Sequence, residues 1–241
     1  MRILIANDDG VSSPALVNLA RYAKKFGDVT VCAPKVEQSG KSQAIDFTRE
    51  IEIKKVTLGG DVEAYAVDST PADCVRFGTF GLEATYDLLL SGINRGYNVG
   101  ADIVYSGTIG AIFEGARVGI KGIALSSSPE AYEQAHRYLD LVFDFVEREH
   151  LLDLHSLYNV NIPPVPKGIR ITRQGSFFYS DRFVHCGGDM YRQEGEPMTR
   201  DDTDLTIDID AVNAGYISIT PLDDTRTDMA VFEQLQKACE P

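Results

Sequence analysis

The first apolar run of the chain, Ile3-Leu4-Ile5-Ala6, shows no alternation, the pattern of a strand buried on both faces within a parallel sheet. It stops in Asn7-Asp8-Asp9-Gly10. Ser13-Pro14 then predicts a helix start. Leu16, Leu19, Ala20, Ala23 and Phe26 recur at helical spacing before Gly27 closes the helix. Val29-Thr30-Val31-Cys32-Ala33 is a second short apolar strand. Residues 1–33 therefore predict a β-α-β unit with parallel strands.

Polarity rises over residues 34–46, which contain Gln38-Ser39-Gly40-Lys41-Ser42 and predict a loop on the carboxyl edge of the sheet. Residues 51–56 and 62–67 alternate on either side of Gly59-Gly60, the pattern of a hairpin at a sheet edge. Thr70-Pro71-Ala72-Asp73 has the spacing of a capping box, so Asp73 is expected to serve the helix and not catalysis. Asp87-Leu88-Leu89-Leu90 is a further buried strand running into Ser91-Gly92-Ile93-Asn94-Arg95-Gly96. The stretch Tyr105-Ser106-Gly107-Thr108-Ile109-Gly110-Ala111 opens a helix whose first turn sets free backbone N–H groups beside two hydroxyls, which suits an anion. Ile123-Ala124-Leu125 predicts another buried strand. Ser128-Pro129 predicts the cap of a long helix with Tyr132, Ala135, Leu139, Val142, Phe143 and Val146 on one face.

Beyond about residue 150 the pattern changes. Residues 157–162 read as a strand stopped by Pro163-Pro164. Strand-like segments follow at 169–173, 177–184, 205–209 and 216–219, with residues 186–203 expected to form a long exposed polar arm. A final amphipathic helix is predicted over about 228–238 through Val231, Leu235 and Ala238. The fold class is α/β, a Rossmann-like doubly wound and mostly parallel sheet. Residues 1–150 form its metal- and phosphate-binding core, and the β-rich extension 151–241 packs on that core within one domain.

Composition narrows the partners. The 241 residues carry a formal net charge of −13, which argues against a nucleic-acid duplex as partner, because such binding needs a basic footprint. A small phosphorylated substrate remains compatible if a metal supplies local positive charge. Cys32, Cys74, Cys186 and Cys239 are widely spaced and predict reduced core thiols in a cytoplasmic protein. No apolar run approaches the length of a membrane span and no basic-then-apolar leader opens the chain, so no membrane partner is expected.

The candidate chemistry gathers on one edge of the sheet. Asp8 and Asp9 are adjacent carboxylates at a strand end, and a hard divalent cation relieves their repulsion. Ser39 follows the second strand, Asn94 a later one, and Ser106-Gly107-Thr108 opens a helix. Taken singly, Asp-Gly and Asn94 are turn formers and Ser39 is a loop residue. Together they are hard oxygen donors that suit magnesium, manganese or calcium and exclude a thiolate or multi-histidine zinc site. His136, His150, His155 and His185 are not positioned by the pattern to activate a serine.

The motifs Asn7-Asp8-Asp9-Gly10, Gln38-Ser39-Gly40, Ser91-Gly92-Ile93-Asn94 with Gly96 and Asn98, and Tyr105 to Ala111 as quoted above occur here in order with two more. Those are Asn159-Val160-Asn161-Ile162-Pro163 and Gly215-Tyr216-Ile217-Ser218-Ile219-Thr220-Pro221-Leu222. In this set the chain resembles the SurE family, the survival-protein-E nucleotidases, over nearly its whole length. The resemblance implies a metal-dependent phosphatase that hydrolyses nucleoside 5′- and 3′-monophosphates by attack of a metal-activated water, with short-chain polyphosphate as a further substrate.

By motif position it implies one divalent ion per subunit on Asp8, Asp9, Ser39 and Asn94, with Asp8 and Asp9 also catalytic. Phosphate contacts fall on Asn98, Ser106, Gly107 and Thr108. It further implies a homodimer or homotetramer with exchanged carboxyl-terminal segments. The arm around residues 179–200 departs from the family's aromatic-rich glycine segment. The alternative reading is a receiver-like magnesium-binding phospho-switch without turnover, which would need a third aspartate and a lysine where Ser91-Gly92-Ile93-Asn94 and Ser126-Ser127 stand. A haloacid-dehalogenase-type site would need a second aspartate two residues after the first, where Gly10 stands.

Overall fold

The structure, a computed structural model, describes residues 1–176, 179–197 and 203–238. The chain begins with β1 (Arg2–Ala6), α1 (Pro14–Ala23) and β2 (Asp28–Pro34). The edge hairpin β3 (Ile53–Leu58) and β4 (Val62–Val67) follows, then α2 (Pro71–Arg76) and β5 (Leu88–Arg95). The next elements are α3 (Gly107–Ala116), β6 (Lys121–Ser127), α4 (Leu139–Arg148), α5 (Leu151–Leu154) and β7 (Leu157–Ile162). The last are β8 (Ile169–Ile171), β9 (Tyr179–Gly187), β10 (Met190–Pro197), α6 (Asp208–Asn213), β11 (Ile217–Pro221) and α7 (Met229–Lys237).

Nine strands form one sheet in the order β3-β4-β2-β1-β5-β6-β7-β11-β8. From β4 to β7 every pairing is parallel, whereas β3 on one side and β11 on the other pair antiparallel with their inner neighbours. The chain builds outward from β1 first through β2 and β4 and then, on the other side, through β5, β6 and β7. The order therefore reverses between β1 and β5, and such a reversal opens a crevice at the carboxyl ends of the two strands.

The alternation of side chains along each strand divides the core between the two faces of the sheet. Ile3, Ile5, Leu88 and Leu90 pack with Leu16 and Leu19 of α1 and Leu139 and Val142 of α4. On the other face Leu4 and Leu89 pack with Cys74 and Val75 of α2 and Ile109 and Ile112 of α3. The uninterrupted apolar run of β1 is thus explained by a helix layer on each side.

Several expectations are corrected. Ser128-Pro129 starts no helix: residues 128–131 form a turn closed by Ala131 N donating to Ser128 O, and a 3₁₀ segment Tyr132–Tyr138 leads into α4. The expected strand at 205–209 is instead the entry to α6. Over its described residues the polar arm is strand-paired, with β9 and β10 forming an antiparallel hairpin outside the main sheet; residues 177–178 of the expected strand and 198–202 of the arm lie outside the described residues. Cys32 and Cys74 are buried free thiols, but Cys186 on that hairpin is exposed; Cys239 lies outside the described residues. The amphipathic helix α7 buries none of its residues, and Val231, Phe232 and Leu235 stay exposed.

Candidate active site

Asp8 and Asp9 follow β1 after Asn7, and Asn94 lies in β5 beside it, so the strand reversal sets all three at the mouth of the crevice. Asp9 Oδ2 accepts from Arg95 N at 3.0 Å, tying the end of β1 to the end of β5. Asp8 is only 4% exposed. Its Oδ1 accepts from Thr108 Oγ1 at 2.7 Å and its Oδ2 from Thr108 N at 3.1 Å, so a carboxylate sits on the first turn of α3 where the helix dipole favours it.

This approach favours glycine. A Cβ at Gly107 would lie 3.0 Å from the Asp8 Cβ and 3.0 Å from the Pro71 ring, so its neighbours would have to give way by a few tenths of an ångström. Ser106 is the N-cap of α3, its Oγ accepting from Ile109 N at 3.1 Å. Thr108 directs both its donors at Asp8, so an incoming phosphate and Asp8 compete for the same two groups.

The two carboxylates are electrostatically uncomfortable. Burial raises the pKa of Asp8 against the lowering effect of the Thr108 bonds. Burial and then the Asp8 charge push Asp9 up to about 6. A third carboxylate adds to this strain. Glu37 raises both values through its charge, and its Oε1 accepts from Ser39 Oγ at 2.7 Å. Its loop is brought in by Gln38 N, which donates to Asp8 O at 2.7 Å. Glu37 was not among the residues marked in the sequence, and its signal there is its place in the loop after β2, two residues before Ser39.

The residues present fit a hard divalent cation. Among the described residues no three His, Cys, Asp or Glu side chains group as a metal site, so a cation here would need neutral oxygens beside the two carboxylates. Asn94 Nδ2 donates to Gly96 O at 2.9 Å, which leaves the Oδ1 end of that amide for coordination. Ser39 donates its proton to Glu37 and keeps its lone pairs. Asn7 Oδ1, next in sequence to Asp8, is buried with no hydrogen-bond partner. Excess negative charge among oxygen donors is the condition a cation satisfies.

Asn98 follows β5, and its Nδ2 donates to Ser126 Oγ at 2.8 Å while its backbone N–H and C=O are bound by Asn159 and Asn161. Ser126, Asn159 and Asn161 were not assigned roles from the sequence, because they come from β6 and β7, distant along the chain. A cavity of about 280 Å³ beside Ser106 is lined also by Ser42, Gln43, Phe113 and Arg226, and neither Asp8 nor Asp9 reaches it. Ring nitrogens of His136, His155 and His185 bond to the carbonyls of Glu133, Leu222 and Gly188, not to a serine of the site.

Known proteins share this architecture. Residues 3–181 match the family model described as survival protein SurE. The chain is 37% identical to the 5′-nucleotidase SurE of Thermosipho melanesiensis, covering 100% of this chain and 98% of that one. It is 36% identical to the 5′-nucleotidase SurE of Petrotoga mobilis over 100% of both chains. The crystal structure of the SurE protein from Aquifex aeolicus superimposes with a TM-score of 0.81 at 32% identity, again over 100% of both chains. The chain is a member of the SurE family.

Proposed function

We propose that this protein is a divalent-cation-dependent phosphatase that releases phosphate from nucleoside monophosphates. The observation that carries the reading is a pair of adjacent carboxylates at the strand reversal, of which Asp8 is buried against the first turn of α3. The name 5′-nucleotidase borne by relatives at this identity supports the 5′-monophosphate as substrate. The 3′-monophosphate and short polyphosphate belong to the same proposal, since the phosphoryl group is the part such a site would hold.

Asp8, Asp9, Ser39 and Asn94 would hold the cation. A bound divalent cation supplies Lewis acidity toward the phosphoryl oxygens and lowers the pKa of a coordinated water. The chain's own groups do the rest. The first turn of α3, Ser106-Gly107-Thr108, at the positive end of that helix, and the Asn98 side-chain amide would bind phosphoryl oxygens, Thr108 N–H only by exchanging Asp8 for phosphate. Asp8 accepts on both oxygens, so we assign proton uptake from the attacking water to Asp9 Oδ1.

The same reading makes the protein a homodimer or homotetramer, supported by the exposed apolar side chains Val231, Phe232 and Leu235 of α7. It also makes it cytoplasmic, which the free thiols of Cys32 and Cys74 favour.

The test is phosphate release from nucleoside 5′- and 3′-monophosphates, short polyphosphate and p-nitrophenyl phosphate in the presence of manganese or magnesium. Turnover is expected to be highest on nucleoside monophosphates. Turnover confined to p-nitrophenyl phosphate would contradict the substrate assignment, and a trapped aspartyl-phosphate would contradict direct attack by water.

A further inference from the structure

The motif Asn159-Val160-Asn161 of β7 has no part in the chemistry so far, yet both asparagines are fully buried and both reach the same residue across the sheet edge. Asn159 Nδ2 and Asn161 Nδ2 each donate to Asn98 O at 2.8 Å, and Asn161 Oδ1 accepts from Asn98 N at 2.8 Å. Two side chains thus satisfy the backbone N–H and both lone pairs of the backbone carbonyl of a single residue. Residues 96–99 belong neither to β5 nor to the 3₁₀ segment Gly100–Tyr105, so the Asn98 backbone takes its partners from side chains and not from a strand or helix ladder. Two residues on, Gly100 N donates to Asp208 Oδ2 at 2.8 Å, and that buried carboxylate also takes Gly175 N at 3.0 Å. Asn159 spends its amide on this contact while its own Oδ1 is left buried without a partner. An acceptor is left unsatisfied so that a donor reaches Asn98.

We propose that Asn159 and Asn161 are positioning residues that fix the Asn98 backbone so that its side-chain amide is held toward the phosphoryl group. The bonds explain the arrangement. With its peptide N–H and C=O held by β7, Asn98 is left only its side chain for a ligand. Ser126 Oγ accepts from that side chain at 2.8 Å and sets the turn of the amide. The proposal rests on Asn98 being a phosphate contact.

The test uses the full-length protein loaded with manganese and measures the binding of inorganic phosphate by calorimetry, with a thermal melt of each variant. Asn161→Asp keeps the acceptor for Asn98 N–H but turns a carboxylate oxygen toward Asn98 O. It is expected to weaken phosphate about ten-fold, the equivalent of one well-placed hydrogen bond. Asn98→Ala is expected to weaken phosphate by a similar factor. The decisive variant carries both changes and is expected to bind phosphate no more weakly than Asn98→Ala alone, because a positioning residue has nothing left to position. Asn159→Ser removes one of the three bonds, is expected to follow the same non-additive pattern with a smaller loss, and replaces Asn161→Asp if that variant does not fold. Additive losses, or phosphate binding unchanged by the β7 substitutions, would overturn the proposal. Phosphate binding unchanged in Asn98→Ala would overturn it one step earlier, by removing Asn98 from the phosphate site, while metal-dependent turnover would leave the phosphatase reading standing.

Discussion

Asp8→Asn is expected to lower metal-supported phosphate release about 10³-fold while leaving the fold intact, the scale seen when a group that stabilises transition-state charge is removed. Two effects combine. The negative charge that would hold the cation is lost. One carboxylate oxygen is also replaced by an NH2 group, which would clash with the Thr108 N–H but can donate to Thr108 Oγ1 once that hydroxyl turns, so the amide is expected to keep its oxygen on Thr108 N. Stability changes little, because removing a buried charge whose pKa burial already raises relieves a desolvation cost that offsets the lost bond. Steady-state kinetics and a thermal melt on the same preparation check this. Retention of most activity would remove Asp8 from the chemistry, and a collapsed melt would make its role structural.

Gly110→Ala is the second expected result. A methyl at Gly110 would run into the Ser42 carbonyl group of the overlying loop, 2.6 Å from the carbonyl carbon and 2.8 Å from Gln43 N. Backbone cannot swing aside as a side-chain tip does. The loop is also tied there by Ser42 N donating to Tyr105 O at 2.9 Å and Ser42 Oγ donating to Val104 O at 2.7 Å. Overpacking of this kind costs about 2 kcal/mol, or about 5 °C in Tm for a domain of this size. Because Glu37 and Ser39 lie on the same loop, activity is expected to fall with stability. An unchanged melting temperature with full activity would mean that the loop moves freely over α3.

Much of this was legible in the sequence for physical reasons. A run such as Ile3-Leu4-Ile5-Ala6 without alternation has no solution but a strand covered on both faces, and its end at Asp8-Asp9 marks the carboxyl edge. The capping box at Thr70 is a local device, and Thr70 does accept from Asp73 N. Local signals failed where distant groups decide. Residues 205–209 alternate like a strand, but Asp208 accepts from Gly100 N, Gly175 N and Ile209 N, and that clasp favours a turn into α6 over a strand. The second strand of the arm, β10, is largely exposed, so its pairing with β9 and not an apolar pattern defines it. At the site, Asp8 and Thr108 are 100 residues apart and Asn98 and Asn161 are 63 apart, which the spacing of residue types does not reveal. Glu37 was passed over for the opposite reason: one acidic residue in a polar loop has no pattern to mark it.

The measurement that bears most directly on the account is turnover of a nucleoside 5′-monophosphate after the protein has been stripped with EDTA, then supplied in turn with manganese, magnesium or calcium, with a thermal melt at each step. The account predicts negligible turnover in EDTA and recovery with at least one of these ions. It also predicts a rise in Tm equivalent to about 2.7 kcal/mol when the ion is present at a hundred times its dissociation constant, and loss of both effects in Asp8→Asn. Full turnover of the stripped protein in EDTA would contradict the claim that the Asp8-Asp9 pair works by holding a cation.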